Sequence, residues 1–109
     1  MNEKSLAICA FLKSLPLAGE ARSRFGKNDA FWVGNQEFLH FHSKSQIDIR
    51  LGAEEVSRRK KAKQNGFIFR KSRSDWVSVD IDTVNLDVIH SIIEIAYNLV
   101  AKGEYPGIG

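Results

Sequence analysis

The chain has 109 residues, of which 43% are hydrophobic and 10% aromatic. This length fits one domain, and the apolar content is enough for a modest core, which argues against a disordered chain. The sequence has no run of about 18 apolar residues, as a membrane-spanning helix would need, and no secretory cleavage pattern. A single cysteine excludes an internal disulfide. We expect one domain over residues 1–103, a flexible tail over residues 104–109 and a cytoplasmic location.

The net charge of +3 is unevenly distributed. Residues 50–73 contain nine Lys and Arg residues but only two glutamates, so this segment carries +7 and the remainder of the chain carries −4. The sequence therefore combines one basic segment with a slightly acidic body.

The first third of the chain predicts one helix, one loop and one short strand. Apolar residues recur at helical spacing over residues 3–14, and Pro16 ends this helix because the residue before a proline avoids the helical region. Residues 17–29 are polar and include two glycines, which indicates a loop. Residues 30–33 are apolar and aromatic and indicate a strand that ends at Gly34.

Residues 37–42 and 46–51 predict a β-hairpin. Side chains alternate between the two faces of a strand, and burying the apolar sets of both strands together fixes the register. The register then opposes Phe41 and Ile47, Leu39 and Ile49, His42 and Gln46, His40 and Asp48, and Phe38 and Arg50. Opposed Cβ atoms lie about 4.5–5.5 Å apart, so we predict contacts from His40 to Asp48 and from Phe38 to Arg50. The same alternation assigns Glu37 to the apolar face.

The second half of the chain predicts a peripheral helix, two strands and the main helix. Residues 53–64 begin acidic and end basic, which matches a helix dipole, but few of them are apolar. Residues 66–69 indicate a strand, residues 71–74 a polar turn, and residues 76–81 an alternating strand. Residues 83–102 have a very wide apolar face and predict the main core helix, capped by Asp82 or Thr83.

The predicted order is α-β-β-β-α-β-β-α with short turns between strands. Short turns indicate an antiparallel sheet, here of about four or five strands, and a helix with a wide apolar face must cover one side of it. The fold class is therefore α+β. The face left bare is polar and aromatic, and two copies of the chain could also meet there as a homodimer.

Five short motifs follow one another between about residues 30 and 100. They are Glu37, His40-x-His42, Asp48-Ile49, Trp76-Val77 and Ala96-Tyr97. In this order they resemble a small family known as the luciferase domain. The resemblance implies a small α+β domain and favours His40 and His42 as a site, but it does not imply light emission.

The polar sheet face is the leading candidate site. The side chains assigned to it are His40, His42, Asp48, Arg50, Trp76 and Ser78. We interpret this face as a concave surface on a binding or regulatory module, for a small anionic or aromatic ligand or for another protein. The simpler alternative is a structural ladder of polar cross-strand pairs that binds nothing. The residues do not identify a cofactor.

Catalysis and metal binding are further alternatives for the same face. A carboxylate such as Asp48 fixes the tautomer of His40 and favours its protonated form, as in an acid–base pair, but only Ser78 is available as a nucleophile. His40 and His42 could converge on a metal ion with Asp48 or His90 as the third ligand. Because no cysteine joins them, we assign no metal ligands.

The basic segment predicts a second kind of surface. Its positive residues are Arg58, Arg59, Lys60, Lys61, Lys63, Arg70, Lys71 and Arg73. Such a patch could neutralise nucleic-acid phosphates. No aromatic residues interleave with the run at 58–63, so we favour the alternative of a solvated helix end whose charges complement the helix dipole.

Overall fold

The computed structural model describes residues 3–24, 26, 28–70 and 74–102. In chain order its elements are α1 (Glu3–Ser14), β1 (Ala18–Arg22), β2 (Asp29–Val33), β3 (Gln36–Ser43), β4 (Gln46–Arg50), α2 (Ala53–Lys61), β5 (Phe67–Ile68), β6 (Trp76–Asp80) and α3 (Leu86–Ala101). The strands form one antiparallel sheet in the order β1-β2-β3-β4-β6-β5. The α+β class and the predicted order are confirmed, with β1 as an additional strand.

Helices α1 and α3 cover one face of the sheet, with α3 over the central strands. The apolar face of α3 packs against the aliphatic side chains of β3, β4 and β6, all of which are fully buried. These side chains are Leu39, Ile47, Ile49, Val77 and Val79 from the strands and Ile89, Ile92, Ile93 and Ala96 from α3. Fully burying one such large aliphatic chain contributes about 1.5–3 kcal/mol. As its sequence predicts, α2 contributes a single buried residue, Val56.

Strand β1 was not predicted, because residues 17–29 were assigned to a loop. Most of its side chains are exposed, and they are small or charged. The strand exists because its backbone pairs with β2 from Ala18 opposite Val33 to Arg22 opposite Asp29. An edge strand without an apolar stripe has no hydrophobic periodicity by which its sequence could predict it.

Helix α3 begins later than predicted. The carboxylate of Asp80 accepts hydrogen bonds from the backbone N–H of Asp82 and from the hydroxyl of Thr83. These bonds close a turn before the helix, so neither Asp82 nor Thr83 caps α3, and Asn85 occupies the N-cap position.

Two β-bulges interrupt β3, one on each side of His40. Against β2, Phe31 pairs with Leu39 and Trp32 pairs with Glu37, which leaves Phe38 as the extra residue. Against β4, Phe41 pairs with Ile47 and the next pair is Ser43 with Gln46, which leaves His42 as the extra residue. Bulges of this kind re-aim side chains and often lie next to functional sites.

The bulges decide which register predictions hold. The pairs Leu39–Ile49, His40–Asp48 and Phe41–Ile47 are confirmed. The pairing of His42 with Gln46 is wrong, because Gln46 pairs with Ser43. The contact of Phe38 with Arg50 is also wrong, because Phe38 is the extra residue of the bulge against β2 and its ring packs on Tyr97.

The bulge at Phe38 also exchanges the faces of two side chains. Phe38 is fully buried on the helix side, where its ring makes an edge-to-face contact with Tyr97 of α3 at a centroid distance of 6.1 Å. Glu37 turns to the opposite face and joins His40. The assignment of Glu37 to the apolar face is therefore wrong, because the extra residue breaks strict alternation.

Some predictions fall on other parts of the chain. The expected tail over residues 104–109, and Lys71 and Arg73 of the basic patch, lie outside the described residues. Within the described ranges, no helix has the length and apolar character needed to cross a bilayer.

Candidate functional site

The sheet face opposite α1 and α3 carries a cluster of buried polar side chains. Strands β3, β4 and β6 lie side by side, and alternation brings polar residues of each to this face. The buried polar residues on it are Glu37, His40, Asp48, Arg50 and Ser78. Three neighbouring strands therefore build one connected site.

His40 lies at the centre of this cluster, between two carboxylates. Its Nδ1 is 2.7 Å from Oε2 of Glu37, and its Nε2 is 2.8 Å from Oδ2 of Asp48. Only 2% of Glu37 and 5% of Asp48 are exposed, and 9% of His40. Both ring nitrogens donate to carboxylate oxygens when the imidazole is protonated, so the geometry favours the imidazolium form.

Each carboxylate is also held from its other side. The Asp48 Oδ1 accepts from the Ser78 hydroxyl at 2.6 Å and from the Gln46 amide at 3.4 Å. The Glu37 carboxylate accepts from the Ser23 hydroxyl at 2.9 Å and from the backbone N–H of Arg24 at 2.8 Å. The buried charges are therefore compensated by hydrogen bonds as well as by opposite charge.

The pKa values of His40 and Asp48 reflect this arrangement. Burial lowers the pKa of His40, but its hydrogen bonds to Asp48 and Glu37 outweigh burial and raise it above the ordinary value of 6.5. Burial raises the pKa of Asp48, yet hydrogen bonds from His40 and Ser78 lower it from 3.8 to about 2. Both shifts favour a charged network, an imidazolium held between two carboxylates.

This geometry does not favour His40 as a general base. A base must offer a free ring nitrogen to the proton that it removes, and both nitrogens of His40 are bonded to carboxylates. The raised pKa further reduces the neutral, basic form. The predicted His40–Asp48 contact is present, but an acid–base role gains no support from it.

Arg50 and Trp76 occupy different positions relative to the network. The Nε of Arg50 donates to Oδ2 of Asp75 at 2.9 Å, and its Nη1 donates to the Gln36 side chain at 3.2 Å. Arg50 is thus buried and committed to its neighbours. The ring of Trp76 lies 5.3 Å from that of His40 at an angle of 39°.

A pocket of about 380 Å³ opens above the network. It is lined by His40, His42, Asp48, Arg70 and Trp76. Of the predicted ligand-binding residues, the pocket brings together His42 and Trp76 with the proposed catalytic pair. Ser78 lies underneath as a donor to Asp48, and Arg50 lies to one side.

His42 and Arg70 form the exposed part of this pocket. The His42 side chain is 62% exposed, and its Nδ1 lies 3.5 Å from Oδ2 of Asp48, which leaves Nε2 without a hydrogen-bond partner among the described residues. Arg70 is exposed two residues beyond β5, and no acidic side chain in the described ranges pairs with it.

Two residues of the site were missed by the sequence analysis. Arg70 was assigned only to the basic patch, because it follows the two-residue strand β5 and lies in no alternating pattern. Glu37 was assigned to the apolar face, where it would be a buried charge without a partner, a costly arrangement. That conflict was the available signal for a bulge.

Ion pairs in the structure also reduce the positive charge that the basic patch offers to a ligand. Both Arg58 and Arg59 form ion pairs with Glu55, and the guanidinium of Arg59 lies 5.7 Å from the ring centroid of Phe67. Lys60 Nζ approaches the carbonyl oxygen of Arg70 at 3.5 Å, which places the end of α2 beside the pocket rim.

The metal interpretation loses its third ligand from α3. His90 stacks on Phe11 of α1 at 4.2 Å, on the helix-covered side of the sheet, and does not face His40. Among the described side chains, no group of three or more His, Cys, Asp or Glu residues is arranged to hold a metal ion.

Comparison with solved structures finds a protein of similar fold. No family model matches the sequence, and no curated protein matches it. Among solved structures, the chain is similar to the crystal structure of Deinococcus radiodurans protein DR2400, described as domain DUF419, with a TM-score of 0.70 and 17% identity. The match covers 90% of this chain and 78% of that one. At this identity the likeness shows the fold alone, and because no family model matches, membership of the luciferase-domain family is not shown.

Proposed function

We propose that this protein is a small binding module whose ligand occupies the pocket above the His40 network. The observation that carries the proposal is a contrast between two parts of the pocket. Its floor is formed by the buried His40 and Asp48, and its rim by the exposed His42 and Arg70. Each carboxylate beside His40 is already satisfied by hydrogen bonds, while His42 and Arg70 at the rim are exposed. The resemblance to the luciferase-domain family favours His40 and His42 as residues of this site.

The fixed floor is what makes the pocket suitable for binding. Binding costs less free energy when the contacting groups are already ordered, and buried charge networks with full hydrogen bonding are rigid. The cavity of about 380 Å³ falls in the range of roughly 300–1,000 Å³ that is typical of small-molecule sites. A regulatory role would follow if ligand binding altered contacts to another protein.

The test is a fragment screen by NMR on the ¹⁵N-labelled protein. We expect the fragments that bind to shift the amide resonances of residues 40–48 and 76–78 and the indole resonance of Trp76. Arg70→Ala should weaken those fragments, whereas the control Arg22→Ala should not, because Arg22 lies on β1 at the opposite edge of the sheet. Both arginines are exposed, so the two variants lose the same charge.

The screen also offers a clear contrary outcome. A second cavity of about 370 Å³ lies between α1 and the ends of β1, β2 and β3, lined in part by Cys9 and Phe41. If the binding fragments cluster there and leave the His40 face unchanged, the proposed site is wrong.

Nucleic-acid binding is a second candidate, and one contact favours it. Because Lys60 reaches the carbonyl of Arg70, the exposed lysines of α2 continue into the rim of the pocket, next to Trp76. A positive surface beside an aromatic ring is typical of single-strand binding. Titration of DNA and RNA oligonucleotides at several salt concentrations tests it, since neutralising phosphates requires a linear fall of log affinity with log salt. Weak binding without that slope would remove this candidate.

A further inference from the structure

We propose that the ligand is an aromatic anion, with a flat ring against Trp76 and a carboxylate or phosphate group held by Arg70 and His42. This inference rests on the proposed function, because it names the chemical class of the ligand in the same pocket. It follows from which side chains line the pocket, from their charge and from the size of the cavity.

The aromatic part of the proposal rests on Trp76. Its backbone N–H is held by the Ser74 hydroxyl at 3.0 Å, and its ring packs against the imidazole of His40. The indole is half-buried, so part of its surface lines the pocket. Flat rings stack on tryptophan with little loss of conformational freedom, and such contacts add to the burial of apolar area.

The anionic part rests on the difference between two arginines near the site. Arg50 is buried and bonded to Asp75 and Gln36. Arg70 is exposed, lines the pocket and has no acidic partner among the described residues. A guanidinium presents paired N–H donors that match a carboxylate or phosphate, and His42 Nε2 offers a further polar contact on the same rim.

The charges of the floor decide where the anionic group lies. With His40 protonated, the network of His40, Glu37 and Asp48 in and below the floor carries a net charge of −1, so an acid group is repelled from the floor and attracted to Arg70 at the rim. The oxygens of Asp48 already accept hydrogen bonds from His40 and Ser78, and the positive charge of Arg70 at the rim disfavours a cationic ligand. The ligand therefore lies with its ring over the floor and its charge outward.

The cavity size limits the ligand further. About 380 Å³ lies near the lower end of the range for small-molecule pockets. That volume accommodates one ring system with its acid group.

Three probes separate the two parts of the proposal: phenyl phosphate, inorganic phosphate and phenol. In NMR titrations we expect phenyl phosphate to bind at least about tenfold more tightly than either of the others, because only it makes both kinds of contact. Arg70→Ala should weaken phenyl phosphate about tenfold and leave phenol unchanged. Arg22→Ala, the charge-matched control, should change neither.

Substitutions of the ring and of the exposed histidine complete the test. Trp76→Leu should weaken phenyl phosphate and phenol but not inorganic phosphate, while Trp76→Phe, which keeps a flat ring, should retain binding. His42→Ala should weaken the two phosphates severalfold, and the high exposure of this residue makes loss of folding unexpected.

Contrary results distinguish failure of the ligand class from failure of the site. If phenol binds as tightly as phenyl phosphate, or if Arg22→Ala weakens phenyl phosphate as much as Arg70→Ala does, the anion assignment is overturned. If none of the three probes moves the pocket resonances but neutral or basic fragments do, the class fails and the binding site stands. If no compound of any class moves them, both proposals fail.

Discussion

Glu37 and Asp48 each accept a hydrogen bond from His40, but they lie in different surroundings. Asp48 comes from β4, directly opposite His40, and lines the pocket. Glu37 comes from β3 itself, beyond the bulge at Phe38, and is tied to the segment after β1 through Ser23 and the backbone N–H of Arg24. One carboxylate thus forms part of the accessible floor, and the other anchors a connection between strands.

The comparison separates two roles that one histidine combines. Toward Asp48, His40 shapes the electrostatics of a surface that a ligand can reach. Toward Glu37, it neutralises a charge that is 2% exposed and that would otherwise be costly to bury. Substitutions should therefore affect stability on both sides of His40 but ligand binding mainly on the Asp48 side.

Removing His40 should give the largest effect on stability. The variant His40→Ala leaves both carboxylates without their cation, and breaking a buried ion pair in this way costs about 4 kcal/mol of unfolding free energy. Urea denaturation of the two proteins measures the difference. His42→Ala is the control, and because His42 is exposed we expect a change within about 0.5 kcal/mol. Equal small losses in both variants would mean that the carboxylates do not depend on His40.

Phe38→Ala tests the bulge that separates the two carboxylates. Because Phe38 is fully buried against Tyr97, we expect a loss of about 3 kcal/mol, as for other buried aromatic residues. Phe41→Ala, at a half-buried position of the same strand, should cost less. If strict alternation held instead, Phe38 would lie on the open face and its substitution would cost little, and Glu37 would then not reach His40.

The contacts of the two carboxylates with His40 also differ in whether the sequence could predict them. The His40–Asp48 contact was predictable, because alternation and the burial of Leu39 against Ile49 fix that register. The Glu37 contact was not, since a single extra residue reverses the faces of everything before it, and no apolar period records the bulge. Arg70 and β1 escaped prediction for a related reason: neither lies in an alternating apolar pattern. Strand β1 forms through backbone pairing with β2, and Arg70 follows a strand of only two residues.

The pH dependence of stability should separate His40 from Asp48. The pKa of Asp48 is lowered from 3.8 to about 2, so its stabilisation is complete above the unfolded value and is lost as the pH falls toward 2. That loss amounts to about 2 kcal/mol. The pKa of His40 is raised above 6.5, so its stabilisation is complete below that value and is lost as the pH rises through the folded pKa. When denaturation is measured at a series of pH values, the unfolding free energy should therefore show a plateau between about pH 4 and pH 6.

The variant Asp48→Asn provides the control for the acidic limb. Other carboxylates also titrate below pH 4, so the informative quantity is the difference in unfolding free energy between the wild type and the variant. We expect that difference to shrink by about 2 kcal/mol between pH 5 and pH 2. A difference that stays constant over this range would contradict the lowered pKa of Asp48.

Two serines give the smallest effects and the sharpest comparison. The Ser78 hydroxyl donates to Asp48 at 2.6 Å, and the Ser23 hydroxyl donates to Glu37 at 2.9 Å. Each serine-to-alanine variant should lose about 1.5 kcal/mol of unfolding free energy, the lower end of the contribution of a hydrogen bond to a charged group. Only Ser78→Ala should raise the pKa of Asp48, because that bond helps to lower it, and ¹³C NMR of the carboxyl group measures the shift. A matching rise in Ser23→Ala would mean that the two sides of His40 respond as one unit, and the division into an accessible side and an anchoring side would then be wrong.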